Sequence, residues 1–306
     1  MSAYLHSFGA HLPQRVVANA ELAERVGKTS EWIESVSGIL ERRWAAPETT
    51  VADMGVAAAE ECLRKAGVAA NALGMLIVAS GSGARGFPGP AAEVAARLGL
   101  DSTPALDLPI ASAGSLFGLA LAMRLADTQG DVLVVAAEKM SALVEADANT
   151  AILFGDGAGA ALVSTRPGRW RMLDTVLHTD GQYRGDLAFD GIGPLHMNGL
   201  AVILQAARKI PSSIQEVLGR QNISAQEVAV FLLHQANLNL LTRVAKSLGV
   251  GPEKVFTNVQ RYGNTSSASL LIAASEWSQT QTDRGPVVFS AFGAGFHWGA
   301  LVASEA

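Results

Sequence analysis

Several short stretches of this 306-residue chain gather residues able to do chemistry at places where a chain turns. In HQANLNLL, His234 and Asn237 stand between an apolar strand-like run and a helical pattern. An imidazole takes or gives a proton near neutral pH, and a carboxamide donates to a carbonyl. Taken alone, His234 reads more readily as a satisfied core histidine than as a catalytic one. In GNTSSAS, Gly263 to Ser269, a flexible turn brings Asn264 and several hydroxyls to the start of a helix, an arrangement that also serves plain capping. In FGAGFHWGA, Phe292 to Ala300, glycines let backbone N–H groups approach a bound group closely, as an oxyanion site requires. In IASAGS, Ser112 follows a strand candidate and opens an apolar helix. FGDGAGAALV is glycine-rich but runs straight into a strand without a lysine, so it is no phosphate-binding P-loop.

The elements that must hold these residues alternate between short β-branched runs and helical patterns, which implies an α/β fold with helices covering parallel-rich sheet. Strands are expected at Met75 to Ala79, Ala105 to Leu108, Asp131 to Ala136, Ala160 to Ser164, Val228 to Leu233, Val255 to Val259 and Val287 to Ala291. Helices are expected at Val51 to Ala66, Pro90 to Leu98, Ser115 to Thr128, Ala201 to Leu218, Leu238 to Leu248 and Ser267 to Thr280. The second half repeats the first. MLIVASGSGARGFPGPAAEVAARLGL matches VFLLHQANLNLLTRVAKSLGV, PALDLPIASAGSLFGLALAMRLA matches KVFTNVQRYGNTSSASLLIAASEWS, and DVLVVAAEKM matches PVVFSAFGAG. The chain therefore divides into two α/β halves, 1–166 carrying Ser112 and 167–306 carrying His234 and Asn264. Ligands in such sheets sit beyond the carboxyl ends of the strands. Ser112 and Asn264 fall in equivalent loops there, which favours function over capping.

Composition narrows the classes. Apolar residues make up 49% and charged residues 17%, a globular balance. A net charge of -5 without any basic block speaks against nucleic acid. One cysteine, Cys62, read as a core residue of its helix, excludes an intramolecular disulfide, and no cluster has metal-ligand spacing. The N-terminal stretch lacks a signal peptide's pattern and no segment is long and apolar enough to span a membrane, so a cytoplasmic protein is expected.

HQAN, GNTSSAS, FGDGAGA, FGAGFHWG and TSEWIESVSGILERR together resemble beta-ketoacyl-acyl-carrier-protein synthase III, over almost the whole chain. The resemblance implies a thiolase-like fold with helices packed between and outside two mixed sheets. It implies a homodimeric acyltransferase that takes an acyl group from coenzyme A and condenses it with malonyl on acyl carrier protein. No metal or redox cofactor is implied, coenzyme A entering only as the thioester substrate. The catalytic residues carried over are Ser112, His234 as base and donor, and Asn264, with the N–H groups of Ser112 and Gly295 holding an oxyanion. Trp32, Phe87, Phe154, Asn237 and Phe296 are carried over as substrate-binding residues.

The chain departs from the family at the nucleophile, where a stretch resembling AACAGF reads IASAGS. A thiol at a helix N-terminus is activated by its place, whereas serine needs a base, for which His234 is the histidine at hand. Three readings of Ser112 stand: a natural serine nucleophile, a serine substituted for cysteine, and a member that forms no acyl-enzyme. The two arginines that commonly flank the coenzyme A adenine are Val36 and Ala148 here, and the basic residue that follows HQANL is Asn239, while Arg243 and Lys246 remain to meet an acidic carrier. The loop from Gly181 to Pro194 is shorter than usual, which leaves the acyl group open. Two rival classes are a non-catalytic partner subunit and a dinucleotide-binding protein. The latter rests on Gly81, Gly83 and Gly86 with Asp101 beyond, but Phe87 to Pro90 separate those glycines from their helix.

Overall fold

The computed structural model describes residues 2–83, 86–144, 148–191, 193–280 and 284–306. In the first half the strands are β1 (Ala3–His11), β2 (Arg15–Ala18), β3 (Glu41–Trp44), β4 (Met75–Ala79), β5 (Ala105–Leu108), β6 (Val132–Lys139) and β7 (Asp156–Ser164). In the second they are β8 (Trp170–Thr179), β9 (Leu187–Ala188), β10 (His196–Met197), β11 (Val230–Leu233), β12 (Val255–Phe256), β13 (Val287–Gly293) and β14 (His297–Glu305).

Ten strands join in the order β12-β11-β13-β14-β8-β1-β7-β6-β4-β5. Read outward from the antiparallel β1–β8 pair, the two sides have the same plan. Each has two antiparallel strands inside and a parallel trio outside, β6-β4-β5 and β13-β11-β12. The two mixed sheets are thus joined edge to edge, and the link between β7 and β8 contains residue 166.

The trio strands are apolar on both faces because both faces are covered. On β4, Leu76 and Val78 pack with the Val51–Ala66 and Pro90–Arg97 helices, while Ile77 and Ala79 face the Gly114–Gln129 helix. On β11, Phe231 and Leu233 face the Gly199–Arg220 and Leu238–Leu248 helices, and Val230 and Leu232 join the same central cluster as Ile77. The Gly114–Gln129 and Ser269–Trp277 helices both contribute to that central cluster, so helices pack between the half-sheets and outside each of them. Being surrounded, these two are apolar nearly all round.

Boundaries follow local chemistry. Thr50 and Asp53 form a reciprocal capping box at the start of the Val51–Ala66 helix, and left-handed Gly67 ends it. The Gly199–Arg220 helix continues through Pro211, which lies inside it. The strand expected over Val255 to Val259 stops at Phe256, since Val259–Tyr262 forms a single helical turn leading into Gly263. The inner strands β1, β8 and β14 lie outside the runs read from the sequence. Cys62 is fully buried against Ser7, and burial pushes its thiol up to about 12.

Candidate active site

All six trio strands point their carboxyl ends at one region, and there the two halves meet. Ser112 lies beyond β5, just ahead of the Gly114–Gln129 helix, with φ 64 in the left-handed region. A non-glycine residue there is strained by roughly 1–3 kcal/mol and persists only where its surroundings dictate it. The surroundings are tight. A Cβ on Gly293, at the end of β13, would sit 2.1 Å from the Ala111 carbonyl oxygen and 2.7 Å from the Ala113 nitrogen. Only glycine lets this strand end reach the serine turn.

His234 follows β11 and is buried. Its Nδ1 lies 2.6 Å from the Ser269 hydroxyl oxygen, which also accepts the Gln235 N–H at 3.0 Å. Among the described residues the Ser269 hydroxyl hydrogen has no other acceptor, so the hydroxyl donates to Nδ1, and the neutral ring carries its proton on Nε2. Burial pulls the imidazole down to about 4, so it is neutral at physiological pH. Gln235 braces the segment: its Nε2 donates to the Leu233 and Phe256 carbonyls and its Oε1 accepts the Asn258 N–H.

Asn264 is pinned by its backbone, donating to the Leu153 carbonyl at 2.8 Å and accepting from the Gly155 N–H at 3.0 Å. Its side-chain oxygen accepts the Ser266 N–H at 2.9 Å, which fixes that end as oxygen and leaves the NH2 group as donor. Ser112, His234 and Asn264 all line one cavity of about 170 Å³. Its remaining wall is chiefly apolar, including Met140, Leu143, Phe189, Val202, Ile210 and Leu240. Phe189 belongs to the short Gly181 to Pro194 loop. The site thus offers a hydroxyl on a strained turn and two neutral N–H donors, at one end of an apolar chamber. Such a set is able to bind a carbonyl oxygen and to stabilise negative charge developing on it.

Of the other expected residues, Phe154 lines the cavity and bridges to Asn264 through its backbone. Asn237 caps the Leu238–Leu248 helix and donates to the Val36 carbonyl instead of facing the cavity. Phe296 is a core residue stacked on Tyr183 and packed on Phe292. Gly295 forms the β13–β14 turn at φ +121, and it is Ala294 that reaches the cavity wall. The Ser112 N–H already donates to the Ser266 hydroxyl at 3.0 Å. Trp32 is 37% exposed on the Ser30–Ser37 helix beneath Lys28, and Phe87 is 92% exposed. Val36 is exposed on the same helix as Trp32, and the side chain of Ala148 lies outside the described residues. Sequence reasoning did not assign Ser266 or Ser269 singly, although both sit in the quoted serine-rich turn, nor Glu138, whose signal is a carboxylate directly following the apolar run of β6.

The glycines Gly81, Gly83 and Gly86 do not open a helix, which starts only at Pro90. The Gly81 N–H is taken by the Glu138 carboxylate, so the turn that suggested a phosphate cradle holds the protein's own anion. Among the described residues, no group of His, Cys, Asp and Glu could hold a metal ion and no helix is long and apolar enough to cross a membrane.

The family model for 3-oxoacyl-[acyl-carrier-protein] synthase III matches residues 106–181, and the model for the C-terminal part of the same family matches residues 218–304. A beta-ketoacyl-[acyl-carrier-protein] synthase III of Serratia proteamaculans is 38% identical over 309 residues, 96% of each chain. The crystal structure of 3-oxoacyl-[acyl-carrier-protein] synthase III from Aquifex aeolicus superposes with a TM-score of 0.95 at 33% identity, covering 99% of this chain and 100% of that one. The priming beta-ketosynthase of the R1128 polyketide pathway gives 0.89 at 31% identity, covering 99% and 96%.

The buried histidine has a measurable consequence for stability. Its folded pKa of about 4 lies below the ordinary 6.5, so on acidification the unfolded chain binds a proton first. Stability from this group is present above pH 6.5 and is lost as pH falls toward 4. Urea unfolding should therefore show wild type losing about 2–3 kcal/mol more than His234→Gln between about pH 7 and about pH 4.5. Equal losses would mean the ring is not held neutral.

Proposed function

The chain belongs to the 3-oxoacyl-[acyl-carrier-protein] synthase III family of condensing acyltransferases, and from that premise we propose that its reaction runs through Ser112, His234 and Asn264. The observation that carries this reading is their convergence, from both halves, on one apolar cavity. In the first step the Ser112 oxygen attacks the carbonyl of an acyl-CoA thioester. A C–O bond forms, the C–S bond breaks, and coenzyme A leaves as the thiol with the serine proton. Coenzyme A is a substrate here and no other cofactor takes part. The oxyanion of this step draws the Ser112 N–H away from the Ser266 oxygen, with the backbone of Ala294 as the second contact in place of Gly295.

In the second step the thioester carbonyl of malonyl on a carrier protein accepts from His234 Nε2–H and Asn264 Nδ2–H. Its C–C bond to the carboxylate breaks, releasing carbon dioxide and leaving an enolate held by the two donors. The enolate carbon attacks the Ser112 ester, a C–C bond forms, and the serine oxygen leaves and regains a proton from solvent. His234 serves this step as a donor: a base is most effective with a pKa near the working pH, and about 4 is far below it. The donor half of the site is complete, whereas serine activation is weak.

Arg243 and Lys246, both exposed, offer the acidic carrier a basic edge, and exposed Trp32 offers the adenine a stacking face. A second copy completes the assembly. Strand β5 is an open sheet edge with Leu106 39% exposed, a template for pairing. The Phe87 loop runs beside it, since the Ala91 N–H donates to Asp107 of β5. Pairing β5 with its copy would cover both Phe87 and Leu106. A cytoplasmic setting, where acyl-CoA is available, fits this reading.

Two outcomes follow. Intact-mass measurement after incubation with a panel of short acyl-CoA thioesters should show slow acylation at Ser112, and Ser112→Cys should acylate at least about tenfold faster, because a helix N-terminus lowers a thiol pKa to roughly 3.5–7.5. If the thiol introduced by Ser112→Cys were as inert to iodoacetamide as Cys62, the activated turn would be excluded. Sedimentation should show a dimer that Leu106→Asp dissociates; a wild-type monomer at micromolar concentration would overturn the pairing.

A further inference from the structure

Glu138, at the end of β6, is fully buried, and among the described residues it has no ion-pair partner. Burying an uncompensated carboxylate is costly, so its presence calls for a reason. Its charge is met by neutral donors from both halves of the molecule. From the turn after β4 come the Gly81 N–H at 3.0 Å and the hydroxyls of Ser82 at 2.5 Å and Ser80 at 3.3 Å. From the turn ahead of the Ser269–Trp277 helix come the hydroxyls of Ser267 at 2.7 Å and Ser266 at 3.0 Å, and the Ser267 N–H at 3.3 Å.

Ser266 is the consequential member. Its hydroxyl hydrogen is committed to Glu138, so toward Ser112 its oxygen can only accept, and it takes the Ser112 N–H. Its own N–H holds the Asn264 side-chain oxygen. Ser266 does this from φ 48, so two left-handed non-glycine residues, 112 and 266, brace each other across the seam between the halves. A neutral amide at position 138 would present a donor where the hydroxyls also donate.

We propose that Glu138 is a positioning residue for condensation: through Ser266 it sets both the Ser112 backbone and the direction of the Asn264 carboxamide. This rests on the reading of Ser112 and Asn264 given above. Glu138 touches no substrate. Its effect is on how well the reacting groups are aimed, where a displacement of about 1 Å can cost up to about a hundredfold in rate.

The test compares wild type, Glu138→Gln, Glu138→Asp, Ser266→Ala and the double variant Glu138→Gln/Ser266→Ala. Steady-state condensation of acyl-CoA with malonyl-carrier gives kcat and KM. Hydrogen–deuterium exchange of the peptide spanning residues 110–114 reports the Ser112 N–H without requiring turnover. Glu138→Gln and Ser266→Ala should each lower kcat about tenfold to a hundredfold with KM for acyl-CoA little changed. The double variant should be no worse than the poorer single, because the two residues act in series. Glu138→Asp should recover part of kcat, and exchange at 110–114 should quicken in Glu138→Gln and Ser266→Ala. Wild-type kcat and exchange in Ser266→Ala, or multiplicative losses in the double variant, would overturn the proposal. If Glu138→Gln fails to fold, Ser266→Ala decides, since it leaves the carboxylate its other donors. A wild type unable to condense would remove the functional reading, and the exchange comparison would still decide whether Glu138 holds the serine turn.

Discussion

The close approach of Gly293 to the turn carrying Ser112 is the constraint on which the rest of the structure depends. With no room for a Cβ between the end of β13 and the Ala111 carbonyl, a strand end from one half and a turn from the other meet backbone to backbone. The duplicated plan makes this possible. Equivalent trios, one on each side of β1–β8, send their carboxyl ends to the same region, so the serine of one half faces the histidine and asparagine of the other. The seam is then closed by polar bonds that cross it, from Ser112 to Ser266 and from Glu138 to Ser266 and Ser267.

Burial decides what these groups can do. An exposed imidazole would titrate within the physiological range, but His234, enclosed and hydrogen-bonded to Ser269, stays neutral and offers its Nε2–H. Two neutral donors cost less to bury than a charge and would need little rearrangement in the enolate-forming step proposed above. The same burial makes the ring a weak base. That is tolerable for a thiol, which its helix terminus can ionise, and demanding for the hydroxyl found here. The apolar wall of Met140, Leu143 and Val202 lowers the polarity around the chamber, which strengthens hydrogen bonds made there.

Much of this is legible in the sequence because both-face burial leaves a plain signal. The bounds of β4, β5 and the Val51–Ala66 and Leu238–Leu248 helices coincide with those read from apolar runs and periodicity. The inner strands β1, β8 and β14 escape that reading because they mix apolar residues with His6, His178, His297 and glycines, and draw their stability from partners on both edges. Side-chain direction is the other blind spot. Asn237 and Phe296 stand in motifs beside the cavity, yet one caps a helix and the other fills the core. Spacing cannot distinguish the turn residue Gly295 from its neighbour Ala294, which is the one that reaches the cavity. Glu138, a carboxylate ending an apolar strand, carries no mark in the sequence of the six donors that two distant turns bring to it.

His234 is held as a neutral ring with its proton on Nε2, the form the proposed enolate-stabilising step requires. Nitrogen-15 NMR of the histidine ring reads this directly, because protonated and bare ring nitrogens differ widely in shift. A bare Nδ1 and a protonated Nε2 are expected for His234, unchanged between about pH 5 and about pH 8, where an ordinary histidine titrates around pH 6.5. An imidazolium at about pH 6, or a ring with its proton on Nδ1, would contradict it.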